Sequence, residues 1–208
     1  MFATLALAML LNGPVESRLA VRLSIDQDGG LSALQLELVV DEVRKIWSDA
    51  RVSVNSRRYG ERSLPGEATI SLRILLTSPP VTDGAERMLA WVTPAGSGRS
   101  APVLFVSLAA VTDTVLGTVA FDLPVRRLTQ ALQARLIAQA IGRVTAHELG
   151  HYLLQNARHQ DRGLMRPRYS AVELVGDWLD PFRVSHVAQP LVRQEIEALT
   201  RLQAPVEQ

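Results

Sequence analysis

The chain contains no cysteine, and that absence removes several kinds of chemistry at once. No disulfide framework can brace it, and no thiolate can bind a metal. No cysteine within this polypeptide can hold a catalytic metal latent. Charge of one sign is missing too: 22 Lys and Arg stand against 21 Asp and Glu, a net charge of +1. The arginines are scattered rather than clustered, whereas a nucleic-acid binder carries a basic patch or stripe, so no nucleic-acid partner is expected. Long apolar runs are also absent. Phe2 to Leu11 gives ten consecutive apolar or small residues, short of the roughly 20 that a bilayer-spanning helix needs, so no stable membrane span is expected. Neither an internal repeat nor a low-complexity tract stands out.

That N-terminal run has two readings. Ended by Asn12-Gly13-Pro14, it fits the apolar region of a signal peptide, although no Lys or Arg precedes Arg18 to supply the usual positive start. It equally fits a buried strand or helix. Residues 1–18 therefore read as a signal-peptide remnant or an N-terminal extension, and residues 19–208 as a single catalytic-size domain. A leader implies a secreted or periplasmic protein; without one the chain is cytoplasmic. What remains is a soluble globular composition, 47% apolar and 21% charged, long enough at 208 residues for one full core.

The scarcest useful residue is histidine. The chain has four, and two of them fall in His147-Glu148-Leu149-Gly150-His151. On an α-helix residues i and i+4 share one face, so both imidazoles can reach one metal ion. Glu148 projects beside that ion, placed to take a proton from a water without being a ligand itself. This is the H-E-x-x-H signature of zinc hydrolases. A catalytic zinc usually keeps three protein ligands and an open fourth position. His159, eight residues past His151, is the obvious third, and Gly163-Leu164-Met165 follows it.

The segment His147 to Met165 resembles the active site of the metzincin metallopeptidases. In that family a third histidine closely follows the motif and a methionine turn lies beneath the zinc; here Met165 takes that place. The family pattern has glycine three residues after the second histidine and the third ligand three beyond. This chain has Leu154 and Ala157 at those positions, and His159 comes two residues late. The family glycine lets the helix end abruptly through a positive φ. Asn156, which tolerates the left-handed conformation, is the best local substitute. The expectation is about half a turn more helix, an exit near Asn156 and a return to the metal at His159.

A second zincin arrangement competes. In gluzincins the third ligand is a glutamate on a later helix with an aspartate four further on, and Glu173-Leu174-Val175-Gly176-Asp177 imitates that spacing. It leaves His159 and Met165 unexplained and puts Gly176 inside a helix. Further residues carry two readings each. Trp91 lines a substrate subsite or is half-buried core. Asp161 hydrogen-bonds a ligand imidazole or caps its loop. Tyr169 stands four after Met165, whereas some metzincins place a tyrosine two after the methionine as a movable ligand or oxyanion stabiliser. His186 lies outside ligand spacing and reads as a surface or helix-start residue.

The element order agrees with the resemblance. Leu19–Ile25 alternates apolar and polar residues as a first strand and stops at Gly29-Gly30. Ser32 with Gln35 forms a capping box opening a helix on Leu36, Val39, Val40, Val43 and Trp47. Val52–Val54, Ala68–Leu76, Met88–Thr93 and Val103–Leu108 read as four further strands. A long helix from about Arg126 places Leu132, Leu136, Ala140, Val144 and His147 along one side. A last helix carries Val192, Ile196, Leu199 and Gln203. The resemblance thus implies an α+β metzincin-like zincin domain, with a twisted, mostly parallel sheet of about five strands, an antiparallel edge strand, an active-site helix and a C-terminal helix. It also implies a zinc-dependent endopeptidase with one catalytic Zn2+ held by His147, His151 and His159, and Glu148 as general base. The substrate would be a polypeptide laid along the edge strand that contains Trp91, with Pro94–Ser100 as the rim of the cleft. Two alternatives stay open: a catalytically weak or inactive binding module on the same fold, and a zinc-dependent amidase acting on a non-protein substrate.

Overall fold

Alternation along the first strand decides where the core lies. In β1 (Leu19–Gln27) Val21 and Leu23 are fully buried, while Arg22 between them faces the other side of the sheet. The computed structural model describes residues 19–27, 30–58, 68–75, 88–93, 103–154, 159–185 and 188–203. The N-terminal segment 1–18, Gly29, the loop Pro94–Ser100, Asn156 and His186 lie outside the described residues.

Four more strands join β1: β2 (Val52–Arg58), β3 (Ala68–Leu75), β4 (Ala90–Thr93) and β5 (Val103–Ser107). They form one sheet in the order β2-β1-β3-β5-β4. Neighbours run parallel except β4, which pairs antiparallel with β5 at the edge. The register aligns Val21 with Val54, Leu23 with Ile70, Leu72 with Leu104 and Ile74 with Val106. All eight are buried and make one apolar face. Polar residues gather on the other face, where Arg73 pairs with Asp26 at 3.0 Å. Phe105 alternates with Leu104 and Val106 and is only half-buried, so β5 is less completely enclosed than its apolar run suggests.

Two helices build on the apolar face. The capping box of α1 (Ala33–Ser48) is present: the Gln35 N–H donates to Ser32 Oγ at 3.3 Å, and the Ser32 N–H donates to Gln35 Oε1 at 3.0 Å. Its apolar stripe buries Val39, Val40, Val43, Ile46 and Trp47. The Trp47 indole N–H donates to the Ala146 carbonyl at 3.3 Å, fastening α1 to the site helix α3 (Gln130–Leu153). Every residue of α3 from Ile141 to Gly150 is buried, including Arg143, Thr145, His147 and Glu148. The motif is therefore carried by the centre of the core. α5 (Gln189–Gln203) buries Val192, Ile196 and Leu199 and packs against β3 and β1.

Three features differ from the sequence reading. A helix, α2 (Leu108–Leu116), follows β5 at once, capped by Ser107. A two-stranded hairpin, β6 (Val119–Ala120) and β7 (Leu123–Pro124), comes next, and α4 (Ala171–Val175) lies beyond Met165. The site helix is described as far as Leu153. Leu154 caps it at φ −97°, ψ −1°, donating its N–H to the Gly150 carbonyl. The exit that the sequence places near Asn156 lies outside the described residues. The architecture is mixed α/β with a five-stranded, mostly parallel sheet. Among the described residues no helix is long and apolar enough to cross a membrane.

Candidate metal centre

The last two turns of α3 bring His147, Glu148 and His151 into the centre. His147 is 8% exposed, and its Nδ1 lies 2.6 Å from the Leu164 carbonyl oxygen. A carbonyl can only accept, so Nδ1 carries the proton and Nε2 presents a lone pair. That Nε2 is 3.0 Å from Nε2 of His151. His159 closes the group, its ring centroid 5.4 Å from that of His147 and 4.8 Å from that of His151. One ligand nitrogen from each of the three lies within 4.8 Å of the others. Zn–N bonds of about 2.0–2.1 Å in a tetrahedral site set ligand nitrogens roughly 3.4 Å apart. Small adjustments of the rings reach that spacing, and three neutral imidazoles leave one vertex open. The donor set fits zinc.

Electrostatics favour the neutral ligand form. Burial lowers the His147 pKa to about 4, partly offset by its bond to the Leu164 carbonyl and reinforced by His151 and His159. His159 is lowered as well, by burial and then by His151. Glu148, 9% exposed, is pushed up to about 7 by burial. A cation held by the imidazoles would draw it back down.

Main-chain bonds bring the chain back from α3. The Gln160 N–H donates to the Met165 carbonyl at 2.7 Å, seating the residue after His159 on the turn Gly163–Met165. Gly163 holds φ +73°, and a Cβ there would lie 2.6 Å from the Arg183 carbonyl oxygen, which also accepts the Leu164 N–H at 3.0 Å. Met165 is buried beneath the motif. A Cβ on Gly150 would lie 2.4 Å from the Met165 Sδ, so the sulfur rests against the helix backbone between Glu148 and His151. The glycine inside the motif was the available signal for this contact.

The other singled-out residues are placed as follows. Glu173 Oε1 accepts from Arg166 at 2.8 Å, and its Oε2 accepts the Ser170 N–H at 2.8 Å in the capping box of α4. Its carboxylate is thus engaged away from the three-histidine cluster. Asp161 is exposed, and the outer partner of His147 is the Leu164 carbonyl. The Tyr169 hydroxyl donates to that same carbonyl and lies 3.3 Å from the Gly163 carbonyl oxygen. Burial raises its pKa, which keeps the proton on the hydroxyl. Trp91 is half-buried on β4, stacked on its register partner Phe105 with centroids 5.1 Å apart.

One residue beside the site left only a faint mark in the sequence pattern. Arg143, one turn before His147 and 1% exposed, donates to Glu42 Oε1 at 2.8 Å. It also reaches the main-chain carbonyls of Glu173 and Trp178 and lies 4.7 Å over the Phe182 ring. A charged residue amid the apolar stretch of a long helix was its only trace.

No protein-family model and no curated protein matches the chain. Among solved structures it is similar to the archaemetzincin of Methanopyrus kandleri, at a TM-score of 0.49 and 16% identity, over 88% of this chain and 98% of that one.

Proposed function

We propose that residues 19–208 form one catalytic domain, a zinc-dependent endopeptidase of metzincin type. The observation that carries this reading is the convergence of one nitrogen each from His147, His151 and His159 within 4.8 Å, on a donor set with no fourth member among the described residues. A zinc ion held there would lower the pKa of a water toward about 7 and polarise the substrate carbonyl. The helix holds His147 and His151 one turn apart, and His159 completes the set from the returning chain. Glu148, fixed on α3 beside His147, accepts the proton of the attacking water and returns it to the leaving amine. Met165 packs under Gly150 and serves as the methionine turn, an apolar floor that keeps the two helical ligands level.

The substrate we assign is a polypeptide in extended form. Among the described residues β4 is the edge of the sheet and pairs on one side only, with β5. The outer main-chain groups of this edge suit an added antiparallel strand, which supplies hydrogen bonds irrespective of side chain. Trp91 contributes by stiffening that edge through its stack on Phe105 rather than by lining a pocket.

The test is incubation of the zinc-loaded chain with a diverse peptide library, with and without chelator, beside Glu148→Gln. Chelator-sensitive internal cleavage that Glu148→Gln abolishes, with zinc still bound, is the expected result. A zinc-loaded chain that cleaves no peptide would contradict it and leave the binding-module and non-protein amidase readings.

A further inference from the structure

Tyr169 stands at a junction that the proposed chemistry does not use. The Leu164 carbonyl accepts two hydrogen bonds, from the His147 Nδ1–H at 2.6 Å and from the Tyr169 hydroxyl. A carbonyl oxygen has two lone pairs, and here both are taken. The Tyr169 ring is itself held firmly. It stacks on Phe182 with centroids 4.6 Å apart and an interplanar angle of 23°. The Arg166 guanidinium lies 4.9 Å from its centroid, and the His147 ring meets it edge-on at 5.7 Å.

Behind Phe182 the support continues into the core. Arg143 lies over the Phe182 ring and is ion-paired with Glu42 at 2.8 Å, both side chains being almost fully buried. A continuous series of contacts therefore runs from α1 through Arg143, Phe182 and Tyr169 to the Leu164 carbonyl, and from there to His147. Without the hydroxyl, that carbonyl would be oriented by its neighbours' main-chain bonds and by the imidazole it is meant to orient.

We infer that Tyr169 is a positioning residue for His147: its hydroxyl holds the Leu164 carbonyl where it selects the Nδ1–H tautomer and aims Nε2 at the ligand cluster. Groups bonded directly to a ligand imidazole typically govern metal affinity by 10–100-fold, and Tyr169 acts through such a group, one bond further out. The inference rests on the zinc-binding reading above, and the two can fail separately.

The experiment compares the wild-type chain with Tyr169→Phe, which keeps the ring and its stack on Phe182. Zinc affinity is measured by competition with a chromophoric chelator at a temperature where both chains are folded by circular dichroism. Nitrogen NMR of the metal-free proteins reads the His147 tautomer alongside. The expected result is zinc binding about tenfold weaker in Tyr169→Phe, with the Nε2–H tautomer of His147 gaining population. A wild-type chain that binds zinc and a Tyr169→Phe chain that binds it equally well would overturn the inference, whatever the change in thermal stability. A wild-type chain that binds no zinc would overturn the reading on which it rests.

Discussion

The two halves of the proposed metal centre are built on different physical terms. His147 and His151 belong to a helix whose final turns are core, and the rings are spaced by the helix itself. His159 is exposed and reaches the cluster on a chain held by the Gln160–Met165 and Leu164–Arg183 main-chain bonds and by the left-handed Gly163. One half is rigid because the fold needs that helix. The other depends on a few hydrogen bonds and one backbone conformation. On the proposed function, a set divided this way lets the fold pre-form two ligands and the base, while the third ligand closes the site at little cost to the fold.

Changes in the buried half should have the largest effects. Glu148→Gln should lower hydrolysis by about 10²–10⁴-fold, the range for a general base, in a peptide-cleavage assay of chains verified to carry zinc. Full activity there would remove Glu148 from the mechanism. Arg143→Met leaves the buried Glu42 carboxylate only the exposed Lys45, 3.7 Å away, and breaking a buried pair costs up to about 3–5 kcal/mol; urea unfolding of the metal-free chain measures it. A loss under 1 kcal/mol would mean that Glu42 is solvated once its partner is gone.

The returning half should respond more mildly in stability. Gly163→Ala forces a Cβ against the Arg183 carbonyl at a positive φ, a strain of about 1–3 kcal/mol, seen as a lower urea midpoint at unchanged slope. His159→Ala sharpens the comparison most. As an exposed residue it should alter metal-free stability by no more than about 0.5 kcal/mol, yet weaken zinc binding beyond the 10–100-fold expected for an outer partner. If His159→Ala destabilised the metal-free chain strongly, the division between the two halves would not hold.

The same division separates what the sequence made legible from what it did not. Periodic features were readable: the i,i+4 histidines, the Ser32–Gln35 capping box and the alternation in β1 each follow from local geometry. The edge strand was readable because its short run matched a known element order. α2 was not, since Leu108–Leu116 presents almost no polar stripe and follows β5 without a break, its cap Ser107 being the last residue of the strand. The β6–β7 hairpin turns through Phe121 and Asp122 at φ 53° and 60°, with no glycine or asparagine to announce it. Tyr169 and Arg143 acquire their roles only when distant segments pack together, which no local pattern encodes.

The most direct measurement is an equilibrium zinc titration of chelator-treated chain, run in parallel with His147→Ala, His159→Ala and Glu173→Ala. The expected result is one zinc per wild-type chain, loss of tight binding in both histidine variants and none in Glu173→Ala. Tight binding that survives His159→Ala but is lost in Glu173→Ala would contradict the three-histidine centre.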